Sequence, residues 1–249
     1  MSEKVVVITG ASSGIGAALA VRLAGRGDQV VLAARREGPL QAVAAQCSGR
    51  ALSVTTDVTQ RGEVRRLVET ARAAHGRIDV FVNNAGQGIS RTPTQLTGED
   101  IDAMMNANVK SALYGMQEVL PVFQAQGQGH IINVSSMLGR IPYAVIRSAY
   151  CGAKHFLNAL TATFREEVQA THPGIQVSLV SPGVVYTEFG NNAVHGGPDS
   201  RALPDGQSAE EVAAVLASVI DSREPDVYTR PGLAARVSGY YASTGRDPQ

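Results

Sequence analysis

The chain has 249 residues, 44% hydrophobic and 18% charged, with Lys plus Arg and Asp plus Glu equal at 22 each. Domains run to roughly 100 to 200 residues, so this length is long for one ordinary domain and short for two, and one large α/β layer structure fits it. The apolar content excludes a disordered or fibrous chain, and zero formal charge leaves no positive field to draw in nucleic acid or an anionic membrane.

Apolar β-branched runs recur along the chain, and each reads as a strand: Val5 to Thr9, Val30 to Ala34, Leu52 to Thr55, Ile78 to Asn83, Ile131 to Ser135, Val177 to Ser181 and Val227 to Thr229. Near-continuous hydrophobicity predicts burial on both faces, as in a parallel sheet. Between them lie amphipathic stretches, read as helices: Ile15 to Ala24, Leu40 to Gln46, Val64 to Ala74, about Glu99 to Gln124, about Ser148 to Ala170, and Glu210 to Asp221. Thr97 to Asp100 and Ser208 to Glu211 have the spacing of capping boxes. The alternation predicts a doubly wound parallel sheet of about seven strands with helices on both faces. The glycine- and proline-rich stretch from Tyr186 to Gln207 reads as a long loop, of the kind that is either a functional lid or disordered. Thr244 to Gln249 reads as a loose tail.

Cys47 and Cys151 are too few and too far apart for a disulfide framework or a thiolate zinc site, and they suit a reducing compartment. The opening run Val5-Val6-Val7-Ile8 is far shorter than an export signal or a membrane span, and no later run approaches ~18 apolar residues. The expectation is a cytoplasmic protein with no membrane association. His75, His130, His155, His172 and His195 show no metal-ligand spacing, so no metal is expected.

Strand one runs into Thr9-Gly10-Ala11-Ser12-Ser13-Gly14-Ile15-Gly16 directly before a helix. Glycines at that junction let the backbone approach a pyrophosphate, whose charge is met by free N–H groups and the positive helix end. The spacing is Gly-x-x-x-Gly-x-Gly, which departs from the commoner Gly-x-Gly-x-x-Gly, and a turn without a ligand is the alternative. Strand two ends in Ala34-Arg35-Arg36. A carboxylate there would suit the ribose of NAD, whereas a guanidinium grips the 2′-phosphate of NADP, so NADP(H) is favoured over NAD(H). Two solvated arginines are the alternative, and Glu37 is placed in the next helix turn.

Tyr150 and Lys154 stand four apart in a helical segment, one turn apart on one face. Bringing a phenol from about 10 to about 7 takes roughly 4 kcal/mol. One positive charge at about 4 Å, with an effective dielectric near 20, supplies that order of energy. Taken alone, the spacing more often marks an ordinary helix-surface pair, and its weight comes from the residues that accompany it. Ser135 and Ser136 close a strand where ligand crevices form, and a hydroxyl there holds a carbonyl oxygen or merely forms a turn.

Together these residues resemble the compact single-domain branch of the short-chain dehydrogenase/reductase family, over nearly the whole chain. The likeness is carried in order by Thr9 to Gly16, Asp57 after strand three, Asn83 to Gly86 after strand four, Asn108, Ser136, Tyr150 with Lys154, and Pro182-Gly183 with Thr187. It implies a single Rossmann-type domain over residues 1–249 with a substrate lid at about 186–207. It also implies an oxidoreductase moving a hydride between a nicotinamide cofactor and a carbonyl or alcohol substrate. Tyr150 would then be the general acid/base, Ser136 would hold the substrate oxygen, Lys154 would bind the nicotinamide ribose and lower the phenol pKa, and Asn108 would link Lys154 to a water relay.

The same resemblance puts Gly10, Ser12, Ser13, Gly14, Ile15 and Gly16 on the pyrophosphate, Arg35 and Arg36 on the 2′-phosphate, and Asp57 and Val58 on the adenine. Asn83, Ala85 and Gly86 would line the adenosine side, and Pro182, Gly183, Val185 and Thr187 would hold the nicotinamide. Two departures stand out: Ser13 occupies a position that is basic in some NADP-using relatives, and the spacing from Ser136 to Tyr150 is about one residue longer than the family pattern. Small and apolar residues on the two long helices (Met104, Met105, Ala112, Ala153, Phe156, Leu157 and Leu160) predict a homodimer or homotetramer interface, with packing inside the chain as the alternative. A nucleotide-bound regulator or redox sensor without turnover is the rival function.

Overall fold

The computed structural model describes residues 3–244. Seven strands form one sheet: β1 (Val5–Thr9), β2 (Gln29–Ala34), β3 (Ala51–Thr55), β4 (Val80–Asn83), β5 (Gly129–Val134), β6 (Ile175–Ser181) and β7 (Asp226–Tyr228). Their order is β3-β2-β1-β4-β5-β6-β7 and every pairing is parallel. β1, β4, β5 and β6 are buried along their whole length, as central strands of a parallel sheet covered on both faces are, with His130, Asn133, Gln176 and Ser178 buried among their apolar residues.

Helices cover both faces. On one side α1 (Gly14–Gly25), α2 (Glu37–Ala45) and α7 (Ala209–Ser222) close a core around Leu19, Leu23, Leu32, Leu40 and Leu216. On the other, α3 (Arg61–His75), α5 (Ser111–Gln126) and α6 (Ser148–Thr171) cover Leu67, Phe81, Met116, Phe123 and Val168. A parallel strand pair needs a crossover, and right-handed crossovers in both directions from β1 put α1 and α3 on opposite faces. The chain leaves β1 toward β2 and returns to its other side as β4, so the strand order reverses there. Crevices outside the strand C-termini at such a reversal are where open α/β sheets take ligands.

The capping boxes are present: Asp100 N–H donates to Thr97 Oγ1 at 3.3 Å, and Glu211 N–H to Ser208 Oγ at 3.1 Å. The expected helix from Glu99 to Gln124 is not continuous. α4 (Gly98–Met105) gives way to a π-turn at Asn106–Lys110 before α5 begins, with Ser111 N–H reaching back to Asn106 O. The extra residue has a local cause, since Asn108 Nδ2 donates to Met104 O at 3.1 Å and Ser111 Oγ to Ala107 O at 2.7 Å. A final helix, α8 (Leu233–Thr244), was not foreseen, and it buries none of its residues. Thr244 closes that helix rather than opening a tail, and 245–249 lie outside the described residues.

Among the described residues no helix is long and apolar enough to cross a membrane, and no group of three or more His, Cys, Asp or Glu is placed to hold a metal ion. Of the residues offered as a subunit interface, Met104, Ala112, Ala153 and Leu157 are covered within the chain, while Phe156 is exposed. Packing inside the chain therefore accounts for most of that face.

Phe81 lies at 0% exposure between the sheet and α5. Removing a buried phenyl ring costs about 3–5 kcal/mol, so Phe81→Ala should lower the unfolding free energy by that amount in urea with an unchanged slope. A loss under about 1 kcal/mol would mean that the second core is not packed as described.

Candidate active site

A cavity of about 980 Å³ opens at the C-terminal edge of the sheet, running from the β1–α1 loop to the start of α6. Its first wall is the glycine loop. Gly10 and Gly14 take φ of +67° and +55°, a conformation open to glycine at little cost, and a Cβ on Gly16 would stand 2.4 Å from Gly10 O. Ser13 is the N-cap of α1, yet its side chain makes no capping bond, and no acidic residue lies in the first turn. The first amides of α1 are therefore left as donors beside the cavity, which Ser12, Ser13, Gly14 and Ile15 line. This is a cradle for a phosphate group, and it fits a dinucleotide.

Thr9 ties this loop to the end of β4. Its hydroxyl donates to Val82 O at 3.2 Å and accepts from Asn84 N at 3.0 Å and Ala85 N at 3.1 Å. Asn84 Nδ2 returns a bond to Thr9 O at 2.9 Å. Arg35, Arg36, Asp57, Val58, Ala85, Gly86, Pro182, Gly183, Val185 and Thr187 all line the cavity. Gly16 and Asn83 do not. Gly16 serves the close approach of α1 to the loop, and Asn83 is buried with its amide donating to Asn133 Oδ1 at 2.8 Å. Asn84, its neighbour, lines the cavity instead. Glu37 opens α2 and does not reach the cavity wall.

At the other end stand Ser136, Tyr150 and Lys154. Ser135 Oγ is committed to Asn158 Oδ1, which leaves Ser136, whose Oγ accepts from Leu138 N at 3.1 Å and acts on the Tyr150 phenol. Lys154 is fully buried, its Nζ donating to Val134 O at 3.0 Å and standing 5.7 Å from the centre of the Tyr150 ring. Burial holds its pKa down at about 8. Burial also dominates at Tyr150, pushing the phenol above its ordinary range, while Ser136 and Arg147 oppose that shift. Lys154 thus stands beside the phenol, while burial is the largest influence on the phenol pKa.

Asn108 sits behind the cavity wall. Its Nδ2 donates to Gln87 O at 2.9 Å and its Oδ1 accepts from Gln87 N at 3.2 Å. The same Oδ1 and Lys154 Nζ lie 2.8 and 3.6 Å from the point where a Cβ on Gly86 would stand, so the π-turn brings Asn108 near the lysine. Arg147, which sequence reasoning passed over, lines the cavity three residues before Tyr150. Its signal was available, as a cation on the same helical face as the tyrosine.

The stretch expected as a lid is folded onto this end. Val185 bridges Gln207 and Ile89 bridges Val194, a short helical turn occupies Ser200–Ala202, and the Phe189 ring lies 5.5 Å from that of Tyr150. His195, with φ +63°, is held by Nε2 against Asp100 Oδ1 at 2.7 Å, while Arg91 takes Asp100 Oδ2 at 3.0 Å. The His195 bond and the Thr97 amide keep the Asp100 carboxyl at about 2.

The chain belongs to the short chain dehydrogenase family, whose model matches residues 4–196. An uncharacterized oxidoreductase of Staphylococcus aureus is 34% identical over 93% of this chain and 98% of its own length. A short-chain dehydrogenase/reductase of Burkholderia phymatum in complex with NAD superposes with a TM-score of 0.88 at 25% identity, covering 100% of this chain and 98% of that one. A short-chain dehydrogenase of Sphingobium yanoikuyae in complex with NADPH gives 0.83 at 30% identity, covering 99% and 97%.

Because the Asp100 carboxyl is depressed, the tie to His195 is present at neutral pH and is lost only as pH falls toward 2. Asp100→Asn should loosen the lid at all ordinary pH values and speed limited proteolysis within 186–207 several-fold. An unchanged cleavage rate would mean that this contact does not hold the lid.

Proposed function

We propose that the protein is an NADP(H)-dependent dehydrogenase or reductase that interconverts a carbonyl and an alcohol in the cavity between the glycine loop and α6. The observation that carries this reading is the meeting of Ser136, Tyr150 and Lys154 in the cavity that the phosphate cradle opens into. The dinucleotide, when bound, supplies or accepts the hydride. Ser136 Oγ holds the substrate oxygen, and Tyr150 gives that oxygen its proton in reduction and takes it back in oxidation. A phenol whose pKa burial has raised stays protonated at neutral pH, which favours the proton-donating, reductive role. Lys154, anchored on Val134 O, places an ammonium beneath the tyrosine, and Asn108 holds the Gln87 backbone that walls the lysine in.

The choice of NADP(H) over NAD(H) is supported by Arg35 and Arg36, exposed where β2 ends and both on the cavity wall. Asp57 reaches the same region, and its Oδ1 accepts from Thr59 N at 3.0 Å and Thr59 Oγ1 at 2.8 Å. Assembly as a homodimer or homotetramer through α5 and α6 is supported by Phe156, 52% exposed.

Tyr150→Phe removes the proton donor without changing the ring's packing. NADPH oxidation across a ketone panel should fall by about 10³-fold or more while NADPH still binds. Binding without turnover in the unmutated protein would instead favour a nucleotide-bound regulator.

Arg35→Ala removes charge-assisted bonds to a 2′-phosphate. NADPH affinity should fall by about 10- to 100-fold with little change for NADH, and equal losses for both would contradict the NADP assignment.

A further inference from the structure

We propose that Arg147 is a substrate-anchoring residue that binds a carboxylate, so that the molecules turned over are short oxo or hydroxy acids; this deepens the dehydrogenase reading and depends on it. Arg147 immediately precedes α6, three residues before Tyr150. The guanidinium, from the N-cap of α6, and the phenol, from its first turn, line the same cavity. The side chain occupies a slot between two glycines. A Cβ on Gly88 would stand 3.0 Å from Nη1, and one on Gly197 would stand 3.0 Å from Nη2. Any other residue at either position would crowd the guanidinium, so the lid and the loop after β4 are shaped around it.

The charge of this group is not met inside the chain. Nη1 donates to Ile89 O at 2.9 Å, and no carboxylate among the described residues pairs with it. Asp100 is paired with Arg91 and His195, and Asp199 with Arg201. Glu188, also on the cavity wall, is exposed and acts on Arg201. Burial works against the charge of Arg147, and the groups that favour it are the Tyr150 phenol and the Cys151 thiol, both protonated at neutral pH. A guanidinium does not escape by losing its proton. A half-buried cation on the cavity wall, with a side-chain bond to a backbone carbonyl and no carboxylate partner among the described residues, is therefore completed by an anion from outside, and a planar fork suits a carboxylate.

The phosphates of a dinucleotide do not fill this role, because the cradle and the arginines that suit them lie at the opposite end of the cavity. Beside the polar Glu188, Asn192 and Ser200, the cavity wall carries the apolar side chains of Tyr143, Ile146, Phe189 and Leu203. They fit the carbon skeleton of a small acid whose carboxylate lies a few bonds from the reacting carbon.

The test measures NADPH oxidation with a series of oxo acids, the carboxylate one, two or three carbons from the ketone, each beside its methyl ester. We expect the unmutated protein to favour at least one acid over its ester by about tenfold or more in kcat/KM, with the difference mainly in KM. In Arg147→Gln the acid should lose about 10- to 100-fold more than the ester, as removal of one charge-assisted pair predicts, and Arg147→Lys should recover part of the loss. In the unmutated protein, butanoate should compete with a neutral ketone substrate while butanamide should not, which keeps the test independent of whether the variants fold. Esters preferred over acids, equal losses for both in Arg147→Gln, or equal inhibition by the amide would overturn the proposal. Reduction of neutral ketones alone would overturn it while leaving the dehydrogenase reading intact. Failure to reduce any ketone would strike that reading itself.

Discussion

Parallel pairing of all seven strands brings every strand's C-terminus to one edge of the sheet, and the rest of the molecule depends on that constraint. At the point where β1 separates β2 from β4, the loops leaving the edge diverge to opposite faces and leave a crevice between them. The Thr9 hydroxyl pins its floor by joining the end of β1 to Val82, Asn84 and Ala85. From β5 come Ser135 and Ser136, from the loop after β6 Pro182 to Thr187, and across the top α6 delivers Arg147, Tyr150 and Lys154. Nothing in that set is close in sequence to the glycine loop, and only the shared register of the strands makes them neighbours.

The site is built at a cost to the fold. Burial holds the Lys154 ammonium well below the ordinary lysine range, at about 8. The folded pKa is below the unfolded one, so the penalty is fully present at neutral pH, shrinks as pH rises through about 8 and is gone above the unfolded value. Its size is on the order of 3 kcal/mol, a large fraction of the stability of a typical domain. Packing alone would replace Lys154 with an apolar residue, as it would Arg147, whose burial is likewise uncompensated. Two cations that the core would exclude, both opening on one cavity with a buried phenol between them in sequence, mark a site kept for chemistry.

Much of this was legible in the residues themselves. The strands were readable because each carries a short run of Val, Ile, Leu or Phe, nearly continuous in β1 and β4 and broken by polar residues in β5 and β6, and the site because its loops carry glycine and polar residues at strand ends. What escaped had physical reasons. α8 carries no buried face, so it lacks the periodicity by which a helix is recognised. The π-turn depends on Asn108 capturing the Met104 carbonyl, a side-chain bond that composition does not show. Asn83 and Asn84 are identical in type and adjacent, and only the pleat decides that one points into the core toward Asn133 while the other reaches the cavity. The burial of Tyr150 and Lys154 was likewise not readable, because spacing along a helix gives direction and not burial, and burial is the largest influence on both groups.

The central claim is that the free amides at the start of α1 and the loop after β6 close on a single dinucleotide at the C-terminal edge of the sheet. Amide hydrogen exchange, followed by mass spectrometry with and without saturating NADPH, tests it most directly. The account predicts slowed exchange in 10–17 and 182–189, with no change at the opposite edge where the strands begin. Protection confined to that opposite edge, or no protection in the glycine loop at saturating nucleotide, would contradict it.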